Sequence, residues 1–257
     1  MKRVLTALAL IPVVIYVILW AKWWMFSAVL IAVACLTYRE YDKIAADYGF
    51  GAPGPLGYAL GLLLLFADRE PWAWLVVTVS ALAALALAMR SDDLAKTLPR
   101  AGLLMLGILY VFGCWKCAIP LRERDPQWLM YALLVPWAGD IGGYYVGRHF
   151  GRSKLAERVS PQKTLEGSAG SLVASVLIAG FYLIRFVGTA SIPLAIGLTL
   201  VANAAGQLGD LVESAMKRGA GVKDSGDLLP GHGGILDRVD STLFVLPVVY
   251  VYVRMTG

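Results

Sequence analysis

Between Ser214 and Asp240 the chain alternates cations, carboxylates and glycines in a way that suits chemistry better than packing. Lys217, Arg218, Lys223 and Arg238 stand beside Asp224, Asp227, Asp237 and Asp240. Fifteen of the 27 residues are charged, glycine or proline, so side chains are set on turns rather than on a packed face. Guanidinium, ammonium and glycine amides suit phosphate oxygens. Carboxylates suit a hard cation such as magnesium. Strongly apolar sequence flanks the segment on both sides. A polyphosphate and a divalent metal held at a membrane surface is the chemistry these residues describe.

Neighbouring residues extend the set. Asp210, Glu213 and Lys217 fall at i, i+3 and i+7, one face of a continuing helix. Asp237 and Asp240 face the same way if a helix begins at Leu236. Pro230-Gly231 and Gly233-Gly234 supply a turn that returns the chain toward Asp210. His232 lies within that turn and reads as a loop organiser or phosphate donor. His149 reads as a headgroup-facing residue. For Glu213, a surface pair with Lys217 and a functional role stand equal.

A second constellation runs from Trp137 to Gly167. Asp140 sits in an apolar stretch, where a charge costs on the order of 2.5–3.5 kcal/mol on insertion scales. Such a residue is paired or functional, and Lys116 on the preceding span is its structural alternative. Gly139, Gly143 and Gly147 repeat every four residues and share a face, which predicts close helix packing. Arg148 ends this helix. Ser160, Lys163 and Thr164 follow in a polar loop that closes on Glu166-Gly167.

The elements that must position these groups are membrane helices. The 257 residues are 58% hydrophobic and 16% charged, with mean hydropathy +0.67. A soluble domain carries about 25% charged residues. The expected fold is all-α: a polytopic integral membrane protein of about nine transmembrane helices. The apolar runs predict them near 4–21, 23–38, 55–67, 71–89, 101–121, 128–147, 168–187, 192–215 and 241–254. A single membrane domain, 1–257, divides into scaffold helices (1–127) and catalytic helices with their loops (128–257). With the N-terminus inside, sixteen Lys and Arg fall on inside segments and six outside. That asymmetry predicts cytoplasmic motif loops and an external C-terminus, in a multi-pass protein of the inner (cytoplasmic) membrane. Net charge is +5, which this bias explains without nucleic acid. The first helix reads as retained rather than as a cleaved leader. Cys114 and Cys117 fall in a predicted span and read as buried, inert thiols rather than a redox pair.

The first constellation matches a family signature without a gap. It closely resembles that of the phosphatidate cytidylyltransferases, or CDP-diacylglycerol synthases. Ser214, Lys217, Arg218, Lys223, Asp224, Gly226, Pro230, His232, Gly233, Gly234, Asp237, Arg238 and Asp240 occupy its positions. The second constellation resembles the same family, with Gln162 where a lysine is usual. The likeness is specific over roughly residues 136–257. It implies an enzyme that joins CTP and phosphatidate into CDP-diacylglycerol and pyrophosphate. It also implies catalytic roles for Asp210, Lys217, Arg218, Lys223, Asp224, His232, Asp237, Arg238 and Asp240. Substrate contacts fall to Asp140, Arg148, Ser160, Lys163 and Thr164. Magnesium on Asp210 and Asp237, with a second, monovalent cation, completes the set. CTP, phosphatidate and the bilayer are the implied partners, with a homodimer among the candidate assemblies.

Rival readings remain open at this stage. The acceptor could be another lipid phosphate, or the enzyme a CTP-dependent lipid kinase. An anion transporter would suit Asp140, Asp210 and Lys116, but no internal repeat supports one. The Asp-Gly, Ala-Arg, Gly, Asp, Asp run of the CDP-alcohol phosphatidyltransferases is absent. None of the quoted cations reads a base, so cytosine selection falls to polar groups elsewhere: Asn203, Gln207 or loop backbone.

Overall fold

Nine helical segments follow one another through the residues that the computed structural model describes, which are 2–50, 54–67, 70–90, 93–188, 191–228 and 233–256. They are α1 (Lys2–Leu19), α2 (Trp23–Ala45), α3 (Pro55–Leu65), α4 (Glu70–Ala88), α5 (Leu94–Arg124), α6 (Pro126–Phe150), α7 (Leu165–Val187), α8 (Ile192–Gly219) and α9 (Leu236–Thr256). Five have stretches long and apolar enough to cross a membrane: Pro71–Ala88, α5, α7, α8 and α9. The chain is a helical, multi-pass membrane protein. At 11 residues, α3 reaches roughly 16 Å, about half of a bilayer's hydrocarbon core.

The ends of these helices sort into two groups. Asp42 accepts from the Gly54 amide at 2.9 Å, Arg100 Nε donates to the Phe50 carbonyl at 2.6 Å, and Tyr48 donates to the Met216 carbonyl at 2.9 Å. The α2–α3, α4–α5 and α8–α9 connections therefore share one end, the motif end. At the other end, Arg122 donates to the carbonyls of Ile18, at 2.9 Å, and Ala21, and lies 4.5 Å over the Phe26 ring. Lys116 donates to the Ala67 carbonyl below α3.

Local sequence sets the boundaries that matter for the site. Asp125 caps α6 by accepting from the Gln127 amide at 2.9 Å, with Pro126 in the first turn. Thr164 caps α7 by accepting from the Gly167 amide at 3.1 Å. Between them lies a short antiparallel hairpin, β1 (Lys154–Ala156) with β2 (Ser160–Thr164), in which Lys154 faces Thr164 and Ala156 faces Ser160. It is the one strand pairing among the described residues. Glu166 anchors its base, accepting from the amides of Arg152 at 3.0 Å and Ser153 at 3.2 Å. Helix α2 continues seven residues past its apolar stretch, and α9 begins at Leu236.

Small residues bring the site helices together. A Cβ on Gly142 would stand 2.3 Å from the Ala174 Cβ and 2.6 Å from the Gly170 carbonyl. One on Gly170 would stand 2.5 Å from Val146. The expected packing role of the glycine repeat is also observed, a Cβ on Gly139 standing 2.6 Å from Ser171 Oγ and one on Gly143 3.4 Å from the Gly167 carbonyl, while Gly142, outside the repeat, makes the tightest approach to α7. On α8, a Cβ at Gly209 would meet the Asp240 carbonyl at 2.8 Å. This close approach sets Asp210 alongside the first turn of α9.

Candidate active site

A cleft of about 900 Å³ opens at the motif end, walled by α6, the hairpin, α7, α8 and α9. Asp140 and Arg148 line it from α6, Ser160 and Lys163 from β2, and Asp210, Glu213 and Lys217 from α8. Asp224 reaches it from the loop, and Asp237, Arg238 and Asp240 from the start of α9. The i, i+3, i+7 spacing on α8 and the three-residue spacing on α9 both turn their acidic residues to this one space. Two constellations about 70 residues apart in sequence share a single site.

Two lysines organise its charge. Lys163 crosses from β2 to pair with Asp210 on α8. No local spacing predicts this contact, which depends on the α6–α7 hairpin folding back over α8. Lys217 pairs with Glu213 one turn earlier at 2.7 Å and with Asp237 on α9 at 2.5 Å. Glu213 is fully buried, so it is no surface pair. Asp237 is held by backbone as well. Its carboxylate accepts from the Gly234 amide at 2.8 Å and the Ser225 amide at 3.1 Å.

Three carboxylates act on one another across the cleft. Asp210 bears on both Asp140 and Asp240, and Asp140 on Asp240, with Lys163 as the shared counter-charge. Such a cluster favours a bound cation. A magnesium ion takes one or two protein carboxylates and completes its shell from phosphates and water. Among the described residues no three acidic, His or Cys side chains converge into a full cage, and a site of that kind needs none. The hard oxygen donors present fit magnesium.

Some expected residues lie elsewhere. Arg218, in the last turn of α8, and Lys223, on the loop, are exposed and do not line the cleft. Arg218 donates to the Val222 carbonyl at 3.4 Å. Thr164 lines the cleft but spends its hydroxyl as the α7 cap. Arg148 donates to the Tyr144 hydroxyl at 2.7 Å at the rim. His232 falls outside the described residues, as do Pro230 and Gly231.

One wall of the cleft is polar without charge. Asn203 donates to Ser175 at 2.7 Å and Ser171 at 3.0 Å, while Gln207 donates to Asn203 at 2.6 Å and to the Ser168 carbonyl at 3.2 Å. A further contact was missed in the sequence. Glu40 on α2 is buried against the loop and the first turn of α9. The signal for it was a carboxylate directly after an apolar run, within the Arg39-Glu40 pair.

Residues 1–256 match the sequence profile of the Cytidylyltransferase family. The chain belongs to this family. Among similar proteins, the phosphatidate cytidylyltransferase of Bacillus subtilis (strain 168) is 43% identical over 159 residues, 60% of this chain and 58% of that protein. That of Staphylococcus aureus (strain COL) is 36% identical over 200 residues, 75% of this chain and 76% of the relative. That of Staphylococcus saprophyticus is 35% identical over 198 residues. A cytidylyltransferase must hold a triphosphate, and the cations and acids of the cleft are of the kind that task requires.

Proposed function

We infer that this protein transfers CMP from CTP to phosphatidate, giving CDP-diacylglycerol and pyrophosphate in phospholipid synthesis. The observation that carries this reading is the cleft itself. It gathers a carboxylate cluster and several cations at one end of a bundle of apolar helices, in a chain of the cytidylyltransferase family. A phosphate oxygen of phosphatidate attacks the α-phosphorus of CTP. The bond from that phosphorus to the bridging oxygen breaks, and pyrophosphate leaves with the electron pair. The attacking oxygen is already anionic, so the site needs no strong base. Its task is alignment and charge neutralisation.

Lys163, Lys217 and Arg238 hold phosphates from three sides, with Arg148 at the rim. Asp210 and Asp237 would hold magnesium, with Asp140 and Asp240 beside them, and a monovalent cation would share the cluster. Magnesium would supply compensation for the charge that develops on the leaving pyrophosphate. At Asp237 it would take the place of the Lys217 ammonium, so the carboxylate stays compensated. Cytosine is read from the polar wall of Asn203 and Gln207, because the cations bind any triphosphate alike.

The loops 148–167 and 216–240 face the cytoplasm, where CTP is available, and the C-terminus lies opposite. The charge asymmetry and the alternation of helix ends support nine passes across the inner membrane, with α3 the shortest. Single cysteines at Lys223 and Met255, in a chain lacking Cys35, Cys114 and Cys117, test this with an impermeant thiol reagent on intact cells. Labelling at residue 223 but not at 255 would overturn the orientation. For the reaction, pyrophosphate release in detergent is followed with CTP and phosphatidate, omitting each in turn. Release should require both. Equal release with an isoprenoid lipid phosphate would move the acceptor assignment, and release without any lipid would end it.

A further inference from the structure

We propose that Glu40 is a positioning residue for this reaction, holding the motif loop and the first turn of α9 in the register that directs Asp237 and Lys217 into the cleft. The proposal rests on the cytidylyltransferase reading above. Glu40 lies on α2, far from the motif in sequence, and is only 6% exposed. Its Oε1 accepts from the Ile235 amide at 2.9 Å. Its Oε2 accepts from the Leu236 amide at 2.7 Å and the Ser225 hydroxyl at 2.8 Å. One carboxylate thus ties both ends of the segment that contains the glycine turn.

The chemistry of these partners explains the residue type. The first amides of a helix have no partner within it, and they carry the positive end of the helix dipole. An ionised carboxylate is an acceptor only, and here it meets three donors. Glutamine has the same shape but would turn an NH₂ group toward at least one of them. The backbone is cut to fit. A Cβ on Gly234 would stand 2.2 Å from Glu40 Oε2 and 2.1 Å from Ser225 Oγ, and one on Gly226 would stand 2.8 Å from Glu40 Oε1. Two glycines of the motif are therefore where the Glu40 carboxylate enters.

From there the contacts lead directly to the site. Ser225, fixed by Glu40 through its hydroxyl, donates its amide to Asp237 at 3.1 Å, and Gly234, next to Ile235, donates to the same carboxylate at 2.8 Å. Asp237 in turn holds Lys217 at 2.5 Å. Tyr48, further along the same chain segment, holds the Met216 carbonyl at 2.9 Å. Glu40 near the end of α2 and Tyr48 just beyond it thus brace both the start of α9 and the end of α8 that flank the loop. Glu40 does not line the cleft, so its effect on turnover runs through Asp237.

The test compares wild type, Glu40→Gln, Glu40→Asp, Ser225→Ala and the Glu40→Gln/Ser225→Ala double variant, each purified in detergent. Turnover is read with hydrogen–deuterium exchange on the same samples. In Glu40→Gln, kcat should fall by about tenfold to a hundredfold, the scale of a displaced catalytic group. The KM for phosphatidate should stay within about threefold, because the lipid-facing walls are untouched. Exchange at Ile235 and Leu236 should rise while α6 and α7 stay protected. Ser225→Ala should lose less, the double variant little more than Glu40→Gln alone, and Glu40→Asp should fall between. A folded Glu40→Gln with wild-type kcat overturns the proposal, as does unchanged exchange at residues 235 and 236. If Glu40→Gln does not fold, Ser225→Ala decides: wild-type kcat there overturns it. Absence of turnover in wild type would instead strike the reaction assignment, and the exchange data would still test the tether.

Discussion

Lys163 and Lys217 face the same cleft and both bind carboxylates, yet their surroundings differ. The Lys163–Asp210 pair is open, with side chains 28% and 30% exposed. Lys217 is 11% exposed, and its partners Glu213 and Asp237 are 1% and 8% exposed. Exposed pairs contribute about 0–1 kcal/mol, so the open pair can exchange partners cheaply when a triphosphate and a metal arrive. A buried cluster cannot lose a member without leaving charge uncompensated. The same residue types therefore carry different loads: the open pair is there for the ligands alone, while the closed cluster also fixes α8 against α9 as it presents Lys217 and Asp237 to the cleft.

This contrast can be broken by substitution, and the largest effect on turnover belongs to the open side. Asp210→Asn should lower pyrophosphate release on the order of 10²–10³-fold, the usual loss for one electrostatic stabiliser. Near-normal release at saturating magnesium would remove Asp210 from the metal site. On the closed side, Lys217→Met leaves Glu213 and Asp237 without their ammonium. It should cost about 3–5 kcal/mol of stability, read as a lower thermal midpoint in detergent. Adding Glu213→Gln should restore part of that loss. An unchanged midpoint in Lys217→Met would show that the closed cluster is no brace.

Lys163→Met sharpens the same comparison. Its stability should stay within about 1 kcal/mol of wild type, while kcat/KM for CTP falls about tenfold to a hundredfold with the lost charge-assisted bonds. A fall in midpoint without a fall in kcat/KM would reverse the two roles. Lys223→Ala should matter least. The side chain is exposed and outside the cleft, so a change within about 0.5 kcal/mol, or roughly twofold, is expected in CTP turnover. The CTP-to-ATP ratio should not move.

The legible and illegible parts of the site follow from the range of the interactions. Spacing alone places Asp210, Glu213 and Lys217 on one face of α8, and a helix starting at Leu236 turns Asp237 and Asp240 together. The four-residue glycine repeat announces close packing, which Gly142 and Gly170 make tighter than Gly139 and Gly143 suggest. The hairpin 154–164 escapes because its strands are three and five residues long, too short to show alternation. Lys223 reads from the motif as a phosphate ligand, but burial is a tertiary property and the loop leaves it outside. Glu40 escapes for the opposite reason. An apolar run ending at residue 38 suggests the helix stops there, while the partners that bury Glu40 lie at Ser225, Ile235 and Leu236. A division into scaffold and catalytic halves at residue 127 hides such a contact by construction.

Asp210 stands ready for ligands without bracing the fold, whereas the Lys217 cluster does both. The thermal midpoint of Asp210→Asn, measured with and without CTP and magnesium, tests this most directly. A ligand that binds only the folded state raises the midpoint. Wild type should show that rise, and Asp210→Asn should lose it. Its ligand-free midpoint should equal or exceed that of wild type, because Asp140, Asp210 and Asp240 repel one another in the cleft. A variant that melts several degrees lower yet keeps the full rise with CTP and magnesium would contradict the account.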